Sequence, residues 1–190
     1  MQALVKATLL LSLAFAAGCT IKHPIADDYS QYLQNNIGES QLPRTEEPAN
    51  YLIAPKTINH HYEFRAMTVG YSHLWIVDFG KILDATLTSH DAQVAFGSLQ
   101  QGATAERPLL SFELQDYRFE DYRAYVTLNV TVTKPGQAPV TKRYSAEGNS
   151  QGGKMFLAGP FGMKNAVQQS TKAAMDTILR ELISDVGQQG

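Results

Sequence analysis

From Leu110 to Ala146 the chain alternates between apolar and polar positions over three consecutive runs. Leu110, Phe112 and Leu114 alternate with Ser111, Glu113 and Gln115. Tyr122, Ala124, Val126, Leu128, Val130 and Val132 alternate with Arg123, Tyr125, Thr127, Asn129, Thr131 and Thr133. Val140, Lys142, Tyr144 and Ala146 continue the pattern beyond a turn signal at Lys134-Pro135-Gly136. Successive side chains of a strand point to opposite faces. The stretch therefore predicts an antiparallel meander with one face buried and one face wet. A fold that includes it must cover one side of a sheet and can leave the other open.

The covering material is read from the flanks. Val167, Ala174, Ile178 and Leu182, joined by Met175, Leu179 and Ile183, form an apolar stripe that predicts a helix over Met163–Val186. A second helix is predicted over Ser72–Ser89 from Ile76, Phe79, Leu83 and Leu87, with Trp75 and Ile82 widening the stripe, although Gly80 weakens it. Alternation of Ile58, His60, Tyr62, Phe64 and Ala66 with Asn59, His61, Glu63 and Arg65 predicts a first strand over Ile58–Val69. Residues Gln100–Pro108 read as a polar loop. The expected fold is α+β, a mainly antiparallel four-stranded sheet with two helices packed on one face, in the order β-α-β-β-β-α.

The N-terminal third is of a different kind. Lys6 precedes an apolar run, Ala7 to Ala17, that ends at Gly18-Cys19. A positive start, a short apolar core and a small-residue cleavage site make a secretory signal peptide, and the run is well short of the ~20 residues that span a bilayer. Residues 20 to about 57 carry Pro24, Pro43, Pro48 and Pro55 among polar stretches. Prolines at that spacing break helices and leave gaps in a sheet ladder, so the segment reads as a tether. A short helix around Ala26–Leu33 is compatible with it, as is an arm held on the domain by Tyr51, Leu52 and Ile53. The expected organisation is residues 1–18 as signal peptide, 19–57 as tether and 58–190 as an α+β domain.

Ala16-Ala17-Gly18-Cys19 resembles the lipobox of bacterial lipoproteins. The resemblance implies cleavage before Cys19, diacylation of its sulfur and acylation of the new amino terminus. Two or more acyl chains make a stable anchor. Thr20, where an Asp would mark retention in the inner membrane, implies by the same resemblance an outer-membrane location, with the folded part facing the periplasm.

Residue chemistry gives little support to catalysis. Cys19 is the only cysteine, so the fold is expected to have neither disulfides nor thiolate chemistry. The formal net charge of −2 offers no basic surface for a phosphate backbone, so nucleic acid is not an expected partner. Gly148-Asn149-Ser150-Gln151-Gly152-Gly153-Lys154 fits the first part of a phosphate loop, but Met155 follows where the motif needs Ser or Thr. It reads as a glycine-rich connection and not as a nucleotide site. His60 and His61 are adjacent and face opposite ways on a strand, and His73 and His90 are far apart along the predicted helix, so no metal site is expected. Asp116, Glu120 and Asp121 are interleaved with Arg118 and Arg123 and read as a solvated ion-pair network. No catalytic, cofactor or metal residue is assigned.

The stretch Leu109–Val186, with the long strand Tyr122–Thr133, the turn Pro135-Gly136, the return strand Thr141–Gly148 and the final amphipathic helix, is similar to the YajG-type lipoproteins. More loosely it resembles the auxiliary lipoproteins of ABC-type envelope transporters. The resemblance implies a non-enzymatic envelope protein and transfers no site residue. The expected function is an outer-membrane lipoprotein that assists an envelope transport or assembly complex by holding a protein or lipid partner. A structural subunit of a secretion or motility machine is the alternative, as is a lipid- or glycan-binding module. Met155, Phe156, Leu157 and Phe161 are apolar residues in a glycine-rich stretch. They either tuck under the final helix or form a patch for a partner.

Overall fold

In the computed structural model, which describes residues 20–45, 47–150 and 158–188, the alternation of Leu110–Ala146 becomes three long strands. In chain order the elements are β1 (Ile21–Pro24), α1 (Tyr29–Asn35), β2 (Ala49–Ile53), α2 (Pro55–Ile58), β3 (His61–Phe64), β4 (His73–Asp78), α3 (Phe79–Leu87), α4 (His90–Ala95), β5 (Leu99–Gln101), β6 (Leu109–Glu120), β7 (Arg123–Thr133), β8 (Val140–Glu147) and α5 (Gly159–Gln188). Short 3₁₀ turns occupy Ala26–Asp28 and Met67–Val69.

These strands form two sheets rather than one, which corrects the expected four-stranded antiparallel sheet. The first has three strands in the order β1-β4-β3, and the second five in the order β5-β2-β6-β7-β8. Both are mixed. β1 runs parallel to β4, and β2 runs parallel to both β5 and β6, while β6-β7-β8 is the predicted antiparallel meander. Five helices, not two, accompany them among the described residues.

The alternation predicts the meander because its buried face is continuous. Leu110, Phe112 and Leu114 on β6, and Ala124, Val126, Leu128 and Val130 on β7, are buried. The pairing slips by one residue between Leu114 and Asp116, so that Tyr117 and Phe119 take over the inward face. A one-residue insertion turns every later side chain to the other face, and here the apolar residues change parity with it. At the bulge the Leu114 N–H donates to Thr57 Oγ1 at 2.7 Å, so a side chain of α2 takes up the displaced backbone donor. Asp121 and Tyr122 both have positive φ, 49° and 61°, which gives the tight β6–β7 turn its two left-handed residues.

The predicted helix Ser72–Ser89 divides in two. His73–Asp78 is strand and only Phe79–Leu87 is helix. Trp75, Ile76 and Val77 are aromatic and β-branched residues that fit a pleated surface, and Trp75 and Val77 are fully buried on one side of β4. Likewise Ile58–Val69 keeps strand geometry only at His61–Phe64, with Ile58 closing α2. Gly80, a weak helix former, is required for packing. A Cβ there would stand 2.5 Å from the Cα of Ile58.

Residues 20–57, expected as a tether or as an arm held by Tyr51, Leu52 and Ile53, pair with the sheets through β1 and β2. The Ile21 N–H donates to Ser72 O at 2.8 Å and β1 pairs with β4 from Ile21↔His73 onward. Ile25, Tyr29 and Leu33 join the core, and Tyr51 and Ile53 are buried in β2. The prolines sit where they do least harm, Pro24 at the end of an edge strand and Pro55 in the first turn of α2. α5 extends the predicted Met163–Val186 and lies across β7 and β8, with Ala174, Met175, Ile178, Leu179 and Leu182 buried. No helix among the described residues is long and apolar enough to cross a membrane.

Candidate functional site

The described residues among those singled out in the sequence do not converge on one point. Cys19, Met155, Phe156 and Leu157 lie outside the described residues, as does Lys154. Phe161, in the first turn of α5, is 83% exposed, so it is not tucked beneath that helix. His61 turns outward between Asp78 at 2.8 Å and Glu63 at 3.0 Å. Hydrogen bonding to Glu63 first, and then to Asp78, raises its pKa above the ordinary imidazole value. His60 turns inward against the rings of Phe79 and Tyr117, and burial lowers its pKa. No group of three or more His, Cys, Asp or Glu among the described residues could hold a metal ion. Arg118 sits 3.7 Å from Asp116, 3.5 Å from Glu120 and 4.4 Å above the Tyr125 ring, and Arg123 pairs with Glu147.

His73 meets an unexpected partner. Its Nδ1 lies 2.8 Å from His23 Nε2, across the β1–β4 pairing, and the His23 ring stacks on Trp75. Phe64 stacks on the same indole and contacts Phe119, so a row of aromatic rings joins the first sheet to the second. Burial, together with the charges of His73 and Lys164, lowers the His23 pKa.

A concave polar site was not anticipated. A cavity of about 520 Å³ opens between α1, the turn after it, α3, α4 and α5, and its lining includes Ile37, Ser40, His90, Asp91 and Lys172. Lys172 is only 6% exposed. Its ammonium donates to Ser40 Oγ at 2.8 Å and to Asp176 Oδ2 at 2.7 Å. Arg180 Nη2 donates to Ser40 O at 3.1 Å, and Gly38 N–H donates to Asp91 at 2.9 Å. Burial raises the Asp176 pKa despite Lys172 beside it. Burial pushes Asp91 the same way, but hydrogen bonds from Gly38 and Ser40 outweigh it and hold the carboxyl below its ordinary value. The pair of Ser40 and Lys172 has the spacing of a nucleophile and a base. The cluster ties the turn after α1 to α4 and α5. Nothing in the sequence marks it, because Ser40 and Lys172 are 132 positions apart.

On the other face of the second sheet the side chains are polar, part-buried on β7 and exposed on β8. Tyr125, Thr127, Asn129 and Thr131 of β7 lie beside Thr141, Arg143 and Ser145 of β8, with hydroxyl contacts of 3.0 Å between Thr127 and Ser145 and 2.8 Å between Thr131 and Thr141. A shallow depression beside it is lined by Asp116, Arg118, Tyr125, Thr127, Ser145 and Glu147.

No family model matches the chain, so the resemblance to the YajG-type lipoproteins gains no support there. No curated protein matches it. Among solved structures it is similar to the crystal structure of a Xanthomonas campestris protein of the DUF330 family model, with 14% identity over 79% of this chain and 89% of that one and a TM-score of 0.44. It is also similar to a minor lipoprotein from Acinetobacter baumannii, with 12% identity over 77% of this chain and 92% of that one and a TM-score of 0.32. These are likenesses of outline and carry no activity to this chain.

Proposed function

We propose that this chain is a bacterial envelope lipoprotein, anchored through lipid on Cys19 in the outer membrane, whose folded part assists a transport or assembly complex by holding a partner. The observation that carries the reading is Gly18-Cys19-Thr20 at the end of a signal-peptide pattern, followed immediately by the first strand of the domain at Ile21. The polar side chains of Thr127, Thr131, Thr141, Arg143 and Ser145 on one face of β7 and β8 offer hydrogen-bonding groups to a macromolecular partner. The cavity beside Lys172 favours a second reading, a module that binds a small polar ligand.

Metabolic labelling with a fatty acid tests the anchor. The wild-type chain should take up label and fractionate with outer membranes, and Cys19→Ala should abolish both. Label retained by Cys19→Ala overturns the reading. Recovery from gently solubilised envelopes, anchor intact, should bring down a stoichiometric envelope protein, and Thr127→Glu/Thr131→Glu should lose it. Recovery of small ligand without protein favours the second reading.

A further inference from the structure

The end of the three-stranded sheet nearest Cys19 carries an unusual set of side chains. Ile21, Met67 and Tyr71 are 48%, 74% and 64% exposed. They are held at one place by backbone and side-chain bonds. Ile21 N–H donates to Ser72 O at 2.8 Å, His73 N–H to Gly70 O and Gly70 N–H to Met67 O, both at 3.3 Å. Arg65 closes the group, since Nη1 donates to Tyr71 O and Nη2 donates to Thr20 Oγ1 at 3.4 Å. Gly70, at φ +95°, supplies the left-handed residue that turns the segment back into β4.

Chain length then decides what this end faces. Only Thr20 separates Cys19 from Ile21, and adjacent Cα atoms are about 3.8 Å apart. A lipid on Cys19 is thus held within roughly 8 Å, along the chain, of a residue already paired in the sheet. The headgroup layer on each side of the hydrocarbon core is itself about 5–8 Å deep. The domain has no slack with which to stand away from the bilayer.

We propose that this end of the sheet, bearing Ile21, Arg65, Met67 and Tyr71, is seated in the headgroup layer of the membrane that holds the anchor. Met67 and Ile21 enter the acyl boundary. Tyr71 places its ring at the interface, where tyrosine is favoured, and Arg65, bonded to Tyr71 O and Thr20, keeps further guanidinium donors for phosphate. The seat fixes the orientation of the domain and presents the polar face of β7 and β8 in a constant direction. The inference depends on the lipid anchor proposed above.

The test uses the full chain produced in a bacterium, acylated, and reconstituted in vesicles of phosphatidylethanolamine and phosphatidylglycerol. Cys19 is the chain's one cysteine, and acylation blocks its sulfur, so Met67→Cys, Tyr71→Cys and Val140→Cys each offer one thiol for a polarity-sensitive fluorophore. Val140, 51% exposed on the other sheet, is the control. Labels at positions 67 and 71 should shift to the blue and be quenched several-fold more by headgroup-level nitroxide lipid than the label at 140. Equal quenching at all three positions in acylated, vesicle-bound protein overturns this inference and leaves the anchor standing. Protein that takes up no fatty acid and stays free of vesicles overturns both.

Discussion

Gly148 and Ser170 meet through their backbones, so closely that a Cβ on Gly148 would stand 1.7 Å from the Ser170 carbonyl oxygen. The contact belongs to a short lattice. Gly148 N–H donates to Ala124 O at 2.8 Å, and Ala124 N–H donates to Ser170 Oγ at 2.6 Å. The end of β8, the start of β7 and the middle of α5 are thereby locked together. Gly148 opens the stretch that mimics a phosphate loop, and its glycine is required by helix packing.

Gly148→Ala should therefore lower stability by at least the ~1–3 kcal/mol of an overpacked core, because the obstacle is backbone and cannot swing aside. Gly187→Ala, where a Cβ meets nothing within 4 Å, is expected to be neutral or to gain up to ~1 kcal/mol of helix propensity. Urea melts of the two variants check the contrast. Equal midpoints would show that α5 sits less tightly on the sheet than this geometry requires.

Thr57 offers a second test of how the elements lock. It is fully buried and accepts the Leu114 N–H at the bulge. Thr57→Val keeps the shape and leaves that donor orphaned. A buried unsatisfied donor costs ~1–3 kcal/mol, and the loss should appear in the denaturation midpoint with an unchanged slope. Hydrogen exchange at Leu114 should speed up more than at Leu128, its cross-strand neighbour. Uniform acceleration would mean that the bulge is not held from α2.

These two contacts also show what could and could not be read from the chain. The meander was legible because Val126, Leu128 and Val130 are buried on one side only, and a period of two is a local signal. Even the bulge left a trace, in the change of parity from Leu114 to Tyr117. The split of Ser72–Ser89 was hidden because Trp75, Ile76 and Val77 are consecutive apolar residues that suit either period. The building of residues 20–57 into the sheets was hidden for a different reason. Parallel pairs such as Tyr51↔Leu110 and Ile21↔His73 join distant segments with no turn between them to announce the pairing. Proline content then argued for a tether where the chain uses Pro24 and Pro55 at element ends. The Lys172 cluster had no local signature either, being one helical i,i+4 pair closed by a distant serine.

That cluster sets the third expectation. Lys172 and Asp176 have side chains 8% and 16% exposed. Lys172→Met strands a buried carboxylate, and breaking such a pair costs ~3–5 kcal/mol. Burial already raises the Asp176 pKa, so in the variant the carboxyl takes up a proton readily and the penalty should shrink as pH falls toward 5. Lys172→Met with Asp176→Leu should recover most of the stability, because an ion pair replaced by apolar groups is often neutral. A double variant no better than the single one would mean that Ser40 and the turn after α1, not the charge, carry the loss.

The last expectation concerns acid. His23 and His60 both have pKa values lowered from 6.5, chiefly by burial, with His73 and Lys164 adding to the effect at His23 and His61 adding to it at His60, where Asp116 and Asp78 oppose it. A lowered imidazole pKa means that the unfolded chain binds a proton at a pH where the folded chain does not. Stability from these two groups is complete above about pH 6.5 and is lost as pH falls toward their folded values. His61 acts with the opposite sign, since its pKa is raised; its stabilisation is present at low pH and fades as pH rises through the folded value. Its side chain is 52% exposed, so solvent screens that contribution, while Asp176, whose pKa burial raises, also opposes the drop and is unchanged by substitution at His23. Asp78 and Asp185, with pKa values below 3.8, begin to lose their contributions only at much lower pH, which separates the two windows. Urea denaturation of the wild type should therefore show a midpoint that drops between pH 7 and pH 5. His23→Gln, which keeps a polar partner for His73 but does not titrate, should flatten the drop. A slope unchanged in His23→Gln would place the acid sensitivity elsewhere, and His60→Gln would then have to carry it.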